Sequence, residues 1–329
     1  MKTEFAALSL QEVLLELSRP TPTLILFHAR PDGDAIGSAF ALSLWLQSKG
    51  SRAYCLCADE IPKRLRFLTQ GLQESVLPQS LPSGFESARV ITVDTASPSQ
   101  LGGLYEQFAD RISLMIDHHG RGTVYADHLV VGCAATGEII YDIITANKEE
   151  LPAKCAELLY AAITTDTGGF RYSNTTPATH LRAAAILQSG IDAARLNHLL
   201  LEVKSPKLLA AERAGMDQLR FYCDGRVAIV SFPYTLKSSL SLQDEHLETL
   251  VDLARRVEGV EVAVAIRQPS EAPVFRTSMR ASVDFDVSAV CAEFGGGGHM
   301  RAAGATLQGY TCIEEAEKAV LEKIVKMLG

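Results

Sequence analysis

Residues 24–34 read Leu24-Ile25-Leu26-Phe27-His28-Ala29-Arg30-Pro31-Asp32-Gly33-Asp34. A short apolar run over Leu24 to Phe27, preceded by Pro20 and Pro22 and ending in a polar turn, predicts a strand buried on both faces. Ile36 to Lys49 then carries a helical pattern and stops at Lys49-Gly50, a common helix end. A buried strand feeding a helix is the building unit of a parallel sheet. The pattern recurs: Arg89–Val93 and Ile112–Ile116 read as strands, Glu138–Ala146 and Ala153–Thr164 as helices. This alternation predicts an α/β fold, with a mostly parallel N-terminal sheet and helices on both faces. Upstream, Ser9 and Glu12 have capping-box spacing, and Leu10, Val13, Leu14 and Leu17 predict a helix over 9–19.

The pattern changes near residue 190. Residues 191–220 read as helix broken at Ser205-Pro206. Arg226–Phe232, Val260–Arg267 and Val274–Arg280 then read as strands, and Gln243–Val257, Val283–Phe294 and Ile313–Leu328 as helices. The expected organisation is an α/β domain over 1–190, a helical linker over 191–215 and a smaller α/β domain over 216–329.

The 329 residues suit about two domains at roughly 150 residues each. With 47% hydrophobic and 21% charged residues, the composition excludes a disordered or fibrous chain. No apolar run reaches the ~18 residues of a membrane span, and the N-terminus lacks a basic-then-apolar signal layout. Seven scattered cysteines without a Cys-x-x-Cys pair argue against a disulfide framework and suit a reducing cytoplasm. A net charge of -8 excludes a protein that coats long double-stranded nucleic acid, while leaving room for a local basic pocket.

Ligands of open parallel sheets bind at the carboxyl ends of strands. There the sequence places His28, Asp32 and Asp34; then Asp94; then Asp117, His118 and His119; and, past a helix, Asp166. Asp166-Thr-Gly alone is equally good turn chemistry, and Asp32-Gly33-Asp34 could also be a turn. Four such segments together are not explained by turns. So many carboxylates gathered in one place repel one another unless cations neutralise them. Carboxylates mixed with imidazoles, without thiolates, suit manganese, iron(II), cobalt or zinc, whereas magnesium prefers all-oxygen shells. The donor supply is too rich for one ion and suits a pair ~3.5–4 Å apart. In this reading Asp32 and Asp34, two apart in an extended segment, reach neighbouring ions while Gly33 lets the chain turn tightly.

These motifs resemble the four N-terminal motifs of the DHH phosphoesterase family. Gly295-Gly-Gly-Gly-His299-Met-Arg-Ala-Ala-Gly304 is similar to the glycine-rich motif of the DHH-associated C-terminal domain. Thr136-Gly-Glu-Ile-Ile-Tyr141 and Asp166-Thr-Gly-Gly-Phe-Arg171-Tyr-Ser-Asn174 fit the oligoribonuclease and pAp phosphatase subgroup, the nanoRNases. The resemblance implies that His28, Asp32 and Asp94 hold one metal and that Asp34, His118 and Asp166 hold a second, with Asp94 shared. It implies two divalent ions, Mn²⁺ foremost, with Mg²⁺, Co²⁺ or Fe²⁺ as substitutes. Asp117 would orient an imidazole, and His119 would face substrate phosphate; with Asp94 these form the expected catalytic set. Arg171, Ser278, Arg280, Gly297, Gly298 and His299 would join His119 in contacting substrate, in a cleft between the domains. The family often has Asn three positions past the second histidine; here Gly122 stands there, which puts a substrate or helper contact in doubt.

The implied activity is hydrolysis of short RNA oligonucleotides and linear dinucleotides such as pApA and pGpG to 5'-monophosphates. Conversion of 3'-phosphoadenosine 5'-phosphate (pAp) to AMP belongs to the same reading, and the family often forms homodimers. Attack would come from water acidified by the paired cations. One alternative is a manganese-dependent inorganic pyrophosphatase, which shares the N-terminal motifs but has a Lys- and Arg-rich tail signature in place of Gly295–Gly304. Another is a catalytically silent nucleotide-binding module. A glycine run is by itself an ordinary flexible loop; Gly295–Gly298 gains meaning from His299 and Arg301 beside it, since successive glycine amides can line an anion-binding concavity. His128, His180, His198 and His246 read as packing or surface residues, and Cys55 and Cys57 as core.

Overall fold

The computed structural model describes residues 4–120, 122–146 and 150–328. The chain divides into two compact units, Met1–Val203 and Lys204–Gly329.

The first unit runs α1 (Leu10–Leu17), β1 (Thr23–Leu26), α2 (Gly33–Ser48), β2 (Ala53–Leu56), α3 (Arg66–Thr69), β3 (Arg89–Val93) and α4 (Gly103–Phe108). It continues with β4 (Ile112–Asp117), β5 (Asp127–Val130), α5 (Thr136–Thr145), α6 (Ala153–Asp166), α7 (Pro177–Leu187) and α8 (Ala193–Asn197). The predicted capping box starts α1: the Glu12 amide donates to Ser9 Oγ, and the Ser9 amide donates back to the Glu12 carboxylate at 2.8 Å. The five strands pair in the order β2-β1-β3-β4-β5, every neighbour parallel. β1 and β3 are buried along their whole length, as continuous apolar runs demand of a sheet covered on both faces.

The two covers differ. On one face, Ile25, Ile91, Leu114 and Ile116 pack into a core with α2, α5 and α6. On the other, Leu24, Leu26, Val90 and Met115 meet α4 and irregular chain around Phe85 and Leu101. The helical layer is tight because its contacts are glycines: a Cβ on Gly37 would lie 2.4 Å from the Leu158 carbonyl oxygen.

The second unit comprises α9 (Pro206–Asp217), β6 (Leu219–Tyr222), β7 (Val227–Phe232), α10 (Tyr234–Ser239), α11 (Leu250–Arg255) and β8 (Val262–Arg267). It ends with β9 (Phe275–Ala281), α12 (Val287–Ala292), β10 (Gly297–His299), β11 (Ala302–Leu307) and α13 (Ile313–Leu328). Its sheet runs β10-β11-β9-β8-β7-β6, with β7 and β8 parallel and the other pairs antiparallel. Alternate residues of β7 and β8 feed two cores, one with α12 and α13 and one with α9 and α11.

Several elements differ from expectation, among them β5, β6 and β11, which the sequence reading did not predict. The helix expected over Val283–Phe294 is only α12, because Asp286 caps it by accepting the amides of Ser288 and Ala289. The helix expected over Gln243–Val257 divides into a 3₁₀ turn, Asp244–Leu247, and α11. The glycine run is not wholly a loop, since Gly297–His299 pairs with β11 as an edge strand.

Candidate metal centre

β1, β3 and β4 are neighbours in the sheet, so their carboxyl ends lie side by side. His28 follows β1, Asp94 follows β3, and Asp117 ends β4 with His118 and His119 just beyond. Asp166 reaches the cluster differently: it is the last residue of α6, not a residue at a strand end. Asp32 and Asp34 do not lie in one extended segment either. Asp32 is the N-cap of α2 and accepts the amides of Asp34 and Ala35 at 3.0 Å each, while Asp34 already sits in the first helical turn. Gly33 is required for close approach and not for a turn, since a Cβ there would lie 2.4 Å from Thr165 Oγ1.

Asp94 has φ +52°, in the left-handed region, so the chain leaves β3 abruptly and turns this carboxylate across the strand ends. Its Oδ2 lies 3.5 Å from His28 Nε2, and its Oδ1 lies 3.6 Å from His118 Nε2. His28 Nε2 is also 3.7 Å from Asp32, and His118 Nε2 is 3.5 Å from Asp166 and 4.0 Å from Asp34. Two donor groups result, His28/Asp32/Asp94 and Asp34/His118/Asp166, each with ligand atoms within 4.8 Å of one another. Asp94, His118 and His119 form a third such group.

The imidazoles are aimed by the backbone. His28 Nδ1 lies 2.9 Å from the Ala29 carbonyl, and His118 Nδ1 lies 3.2 Å from the Cys133 carbonyl. A ring that donates Nδ1–H to a carbonyl presents an unprotonated Nε2, the arrangement typical of a metal-binding histidine. His119 is held otherwise, with Nδ1 2.8 Å from Asp117 Oδ1.

Electrostatics point the same way. Burial raises Asp34 well above the usual carboxylate range, and the charges of Asp94 and Asp166 push it further. Burial and Asp94 do the same to Asp166. Burial also tends to lower the His28 pKa, but hydrogen bonding and the charges of Asp32 and Asp94 outweigh it and push the ring up to about 12. Carboxylates that resist joint ionisation, beside an imidazole pulled toward a positive charge, make a donor set that fits divalent cations.

Other expected site residues lie around this cluster or in the second unit. Arg171 is exposed, its Nε 2.5 Å from the Gly168 carbonyl. Gly122 has a local cause: a Cβ would lie 2.3 Å from the Ala96 carbonyl oxygen, so the backbone passes too close for asparagine. In the second unit, Arg280, Ala302 and His299 form one cross-strand row, with Ser278, Gly304 and Gly297 in the next. Residues directly opposite, or two apart on a strand, share a sheet face. Ser278, Arg280, Gly297 and His299 therefore share a face kept shallow by small neighbours, while Gly298 pairs with Ala303 outside those rows. Phe275, Met279 and Ala281 turn to the opposite, core-filled face.

Sequence reasoning missed a ring of supporting groups. The amides of Thr136 and Gly137 donate to Asp34 Oδ2 and Oδ1 at 2.7 and 2.8 Å, and Ser38 Oγ donates to Oδ1 at 3.0 Å. Thr136 Oγ1 donates to Asp94 Oδ1 at 3.0 Å. The available signal was Thr136-Gly137 at a helix start, directly after a strand and loop.

An all-parallel sheet whose adjacent strand ends gather carboxylates and imidazoles, followed by a mixed-sheet α/β unit, defines a two-unit class whose first unit carries a candidate metal centre. The model of the DHH family N-terminal domain matches residues 22–163, and that of the DHHA1 domain matches residues 227–326. The chain is 33% identical to the bifunctional oligoribonuclease and PAP phosphatase NrnA of Thermus thermophilus, over 92% of this chain and 89% of that protein. It is 27% identical to the protein of the same name from Bacillus subtilis, over 92% and 95% of the two chains. An exopolyphosphatase-related protein from Bacteroides fragilis, 22% identical, shares the fold with a TM-score of 0.87, over 96% of this chain and 95% of that one. The chain belongs to the DHH family.

Proposed function

We propose that the protein is a metal-dependent phosphoesterase that hydrolyses short RNA oligonucleotides and linear dinucleotides to nucleoside 5'-monophosphates, and pAp to AMP. The observation that carries this reading is Asp94, whose two oxygens face two different histidines, each beside its own further carboxylates. In this reading His28, Asp32 and Asp94 hold one divalent cation, and Asp34, His118, Asp166 and Asp94 hold the other; the mixed oxygen and nitrogen donors suit Mn²⁺, Fe²⁺, Co²⁺ or Zn²⁺, with Mn²⁺ foremost by the family resemblance. When bound by these residues, such a pair would supply acidification of water and neutralisation of phosphoryl charge.

The chain's own residues supply the rest. Burial lowers the His119 pKa, but its hydrogen bond to Asp117 and the nearby carboxylates raise it to about 9. Held by Asp117, His119 donates to a phosphoryl oxygen. Arg280, Ser278 and His299, with the amides of Gly297 and Gly298, bind substrate phosphate or ribose, and Arg171 adds a further cationic contact. The substrate class follows from the relatives named as oligoribonuclease and pAp phosphatase. Among the described residues no helix is long and apolar enough to cross a membrane. Cysteines without disulfides suit a cytoplasmic setting.

The test is hydrolysis of pApA, pGpG, pAp and pyrophosphate with Mn²⁺, before and after chelation. Release of AMP or GMP from the first three, lost on chelation, is expected. Turnover of pyrophosphate alone, or binding without turnover of any of them, contradicts the proposal.

A further inference from the structure

The structure assigns Thr136 a role: we infer that it is a positioning residue that sets the plane of the Asp94 carboxylate, and so keeps one oxygen turned to each cation position. This rests on the reading of Asp94 as shared between two positions. The backbone at Asp94 is fixed by φ +52° and by its amide, which donates to the Ile116 carbonyl at 3.0 Å. What remains soft is rotation of the carboxylate about Cβ–Cγ, a broad, roughly two-fold torsion. If it turned freely, the carboxylate plane would swing off the line between His118 and His28, and neither would keep an oxygen facing it.

Thr136 removes that freedom. It is fully buried, and its hydroxyl donates to Oδ1, the oxygen facing His118. As the first residue of α5 it has no preceding helical turn whose carbonyl could claim the hydroxyl. Its amide donates to Asp34 Oδ2, and the Gly137 amide donates to Asp34 Oδ1. Ala135, the N-cap of α5, offers no capping side chain, so Asp34 fills that place. One helix start therefore clamps a carboxylate from each side of the centre, and the clamp is as rigid as α5. A hydroxyl that points one oxygen at one position makes the two positions unequal.

The test is Mn²⁺ binding followed by electron paramagnetic resonance of the free ion, alongside melting in chelator and pAp hydrolysis. Thr136→Val keeps the shape and removes the donor. It should weaken one of two Mn²⁺ equivalents by roughly 10–100-fold, the usual effect of losing an outer partner of a metal ligand. At saturating Mn²⁺, kcat should fall with little change in KM, and Thr136→Ser should restore both. Thr136→Ala gives the same comparison if valine fails to fold. A folded valine or alanine variant with wild-type Mn²⁺ affinity at both equivalents and wild-type kcat overturns the assignment of Thr136 alone. A wild-type chain that binds no Mn²⁺ overturns the two-cation reading beneath it.

Discussion

The Asp34 carboxylate accepts the backbone amide of Thr136 at 2.7 Å, across 102 residues of chain. A helix start and a proposed cation position thus share one side chain. The arrangement favours the ionised carboxylate through the N-terminal dipole of α5, while burial and the charges of Asp94 and Asp166 oppose ionisation.

A bound cation should reverse that balance and stabilise the fold. At Mn²⁺ a hundred times its Kd, binding adds ~2.7 kcal/mol, which raises the melting temperature by roughly 5–10 °C for a unit of this size. Asp34→Asn should show a clearly smaller rise, because only the His28, Asp32 and Asp94 position keeps its donors. Calorimetry with Mn²⁺ and with chelator measures it, and equal rises in both proteins would refute the placement of Asp34.

Asp94→Asn is a sharper probe of the shared position than Asp94→Ala. The residue sits at φ +52°, which asparagine tolerates better than alanine. The asparagine variant should keep the wild-type fold by circular dichroism and lose roughly 100-fold or more in pAp turnover, beyond the loss typical of an outer partner. Near-normal turnover would remove Asp94 from the centre.

Gly33→Ala tests the close approach of α2 to α6. Its Cβ would fall 2.4–2.9 Å from three atoms of the Thr165 side chain. Urea unfolding should show a loss of about 1–3 kcal/mol, the usual range for overpacking. Thr165→Ala in the same chain should recover part of it. No loss in the single variant would show that the helices separate freely.

The buried thiols predict a pH dependence at the alkaline end. Burial pushes Cys55 up to about 12, and Cys155 and Cys291 up to about 11. The folded chain therefore keeps protons that the unfolded chain, with ordinary thiols near 9, releases. Stability from these groups is full below pH 9 and is lost as pH rises through 11 to 12. At pH 8, iodoacetamide should label the half-buried Cys223 and Cys312 well before these three. Labelling of Cys55 at the rate of Cys312 would contradict the core packing.

Arg280→Ala separates substrate contact from cation binding. Losing one charged hydrogen-bonding group on the β9–β11 face should raise KM for pAp by roughly tenfold or more and leave bound Mn²⁺ unchanged. Loss of metal in this variant would place Arg280 in the wrong role.

Much of the site is legible in the sequence because His28, Asp94 and His118 follow buried apolar runs, and a parallel sheet aligns the ends of those runs. β3 spans Arg89–Val93, the range its apolar run predicts, and Asp94 follows directly. What escaped depends on approach between elements distant in sequence. Gly33 reads as a turn glycine until Thr165 is seen against it, and Thr136 stands only as part of the Thr136–Tyr141 motif, with no role of its own, until Asp94 and Asp34 are found beside it. β5 and β10 were missed for a different reason: Asp127–Val130 and Gly297–His299 are short and lack an apolar run.

The most direct test is anomalous scattering from crystals grown with Mn²⁺. The account predicts two peaks per chain, one among His28, Asp32 and Asp94 and one among Asp34, His118 and Asp166, with Asp94 touching both. A map with no peak among these residues, from crystals diffracting well enough to show an ordered ion, would contradict it.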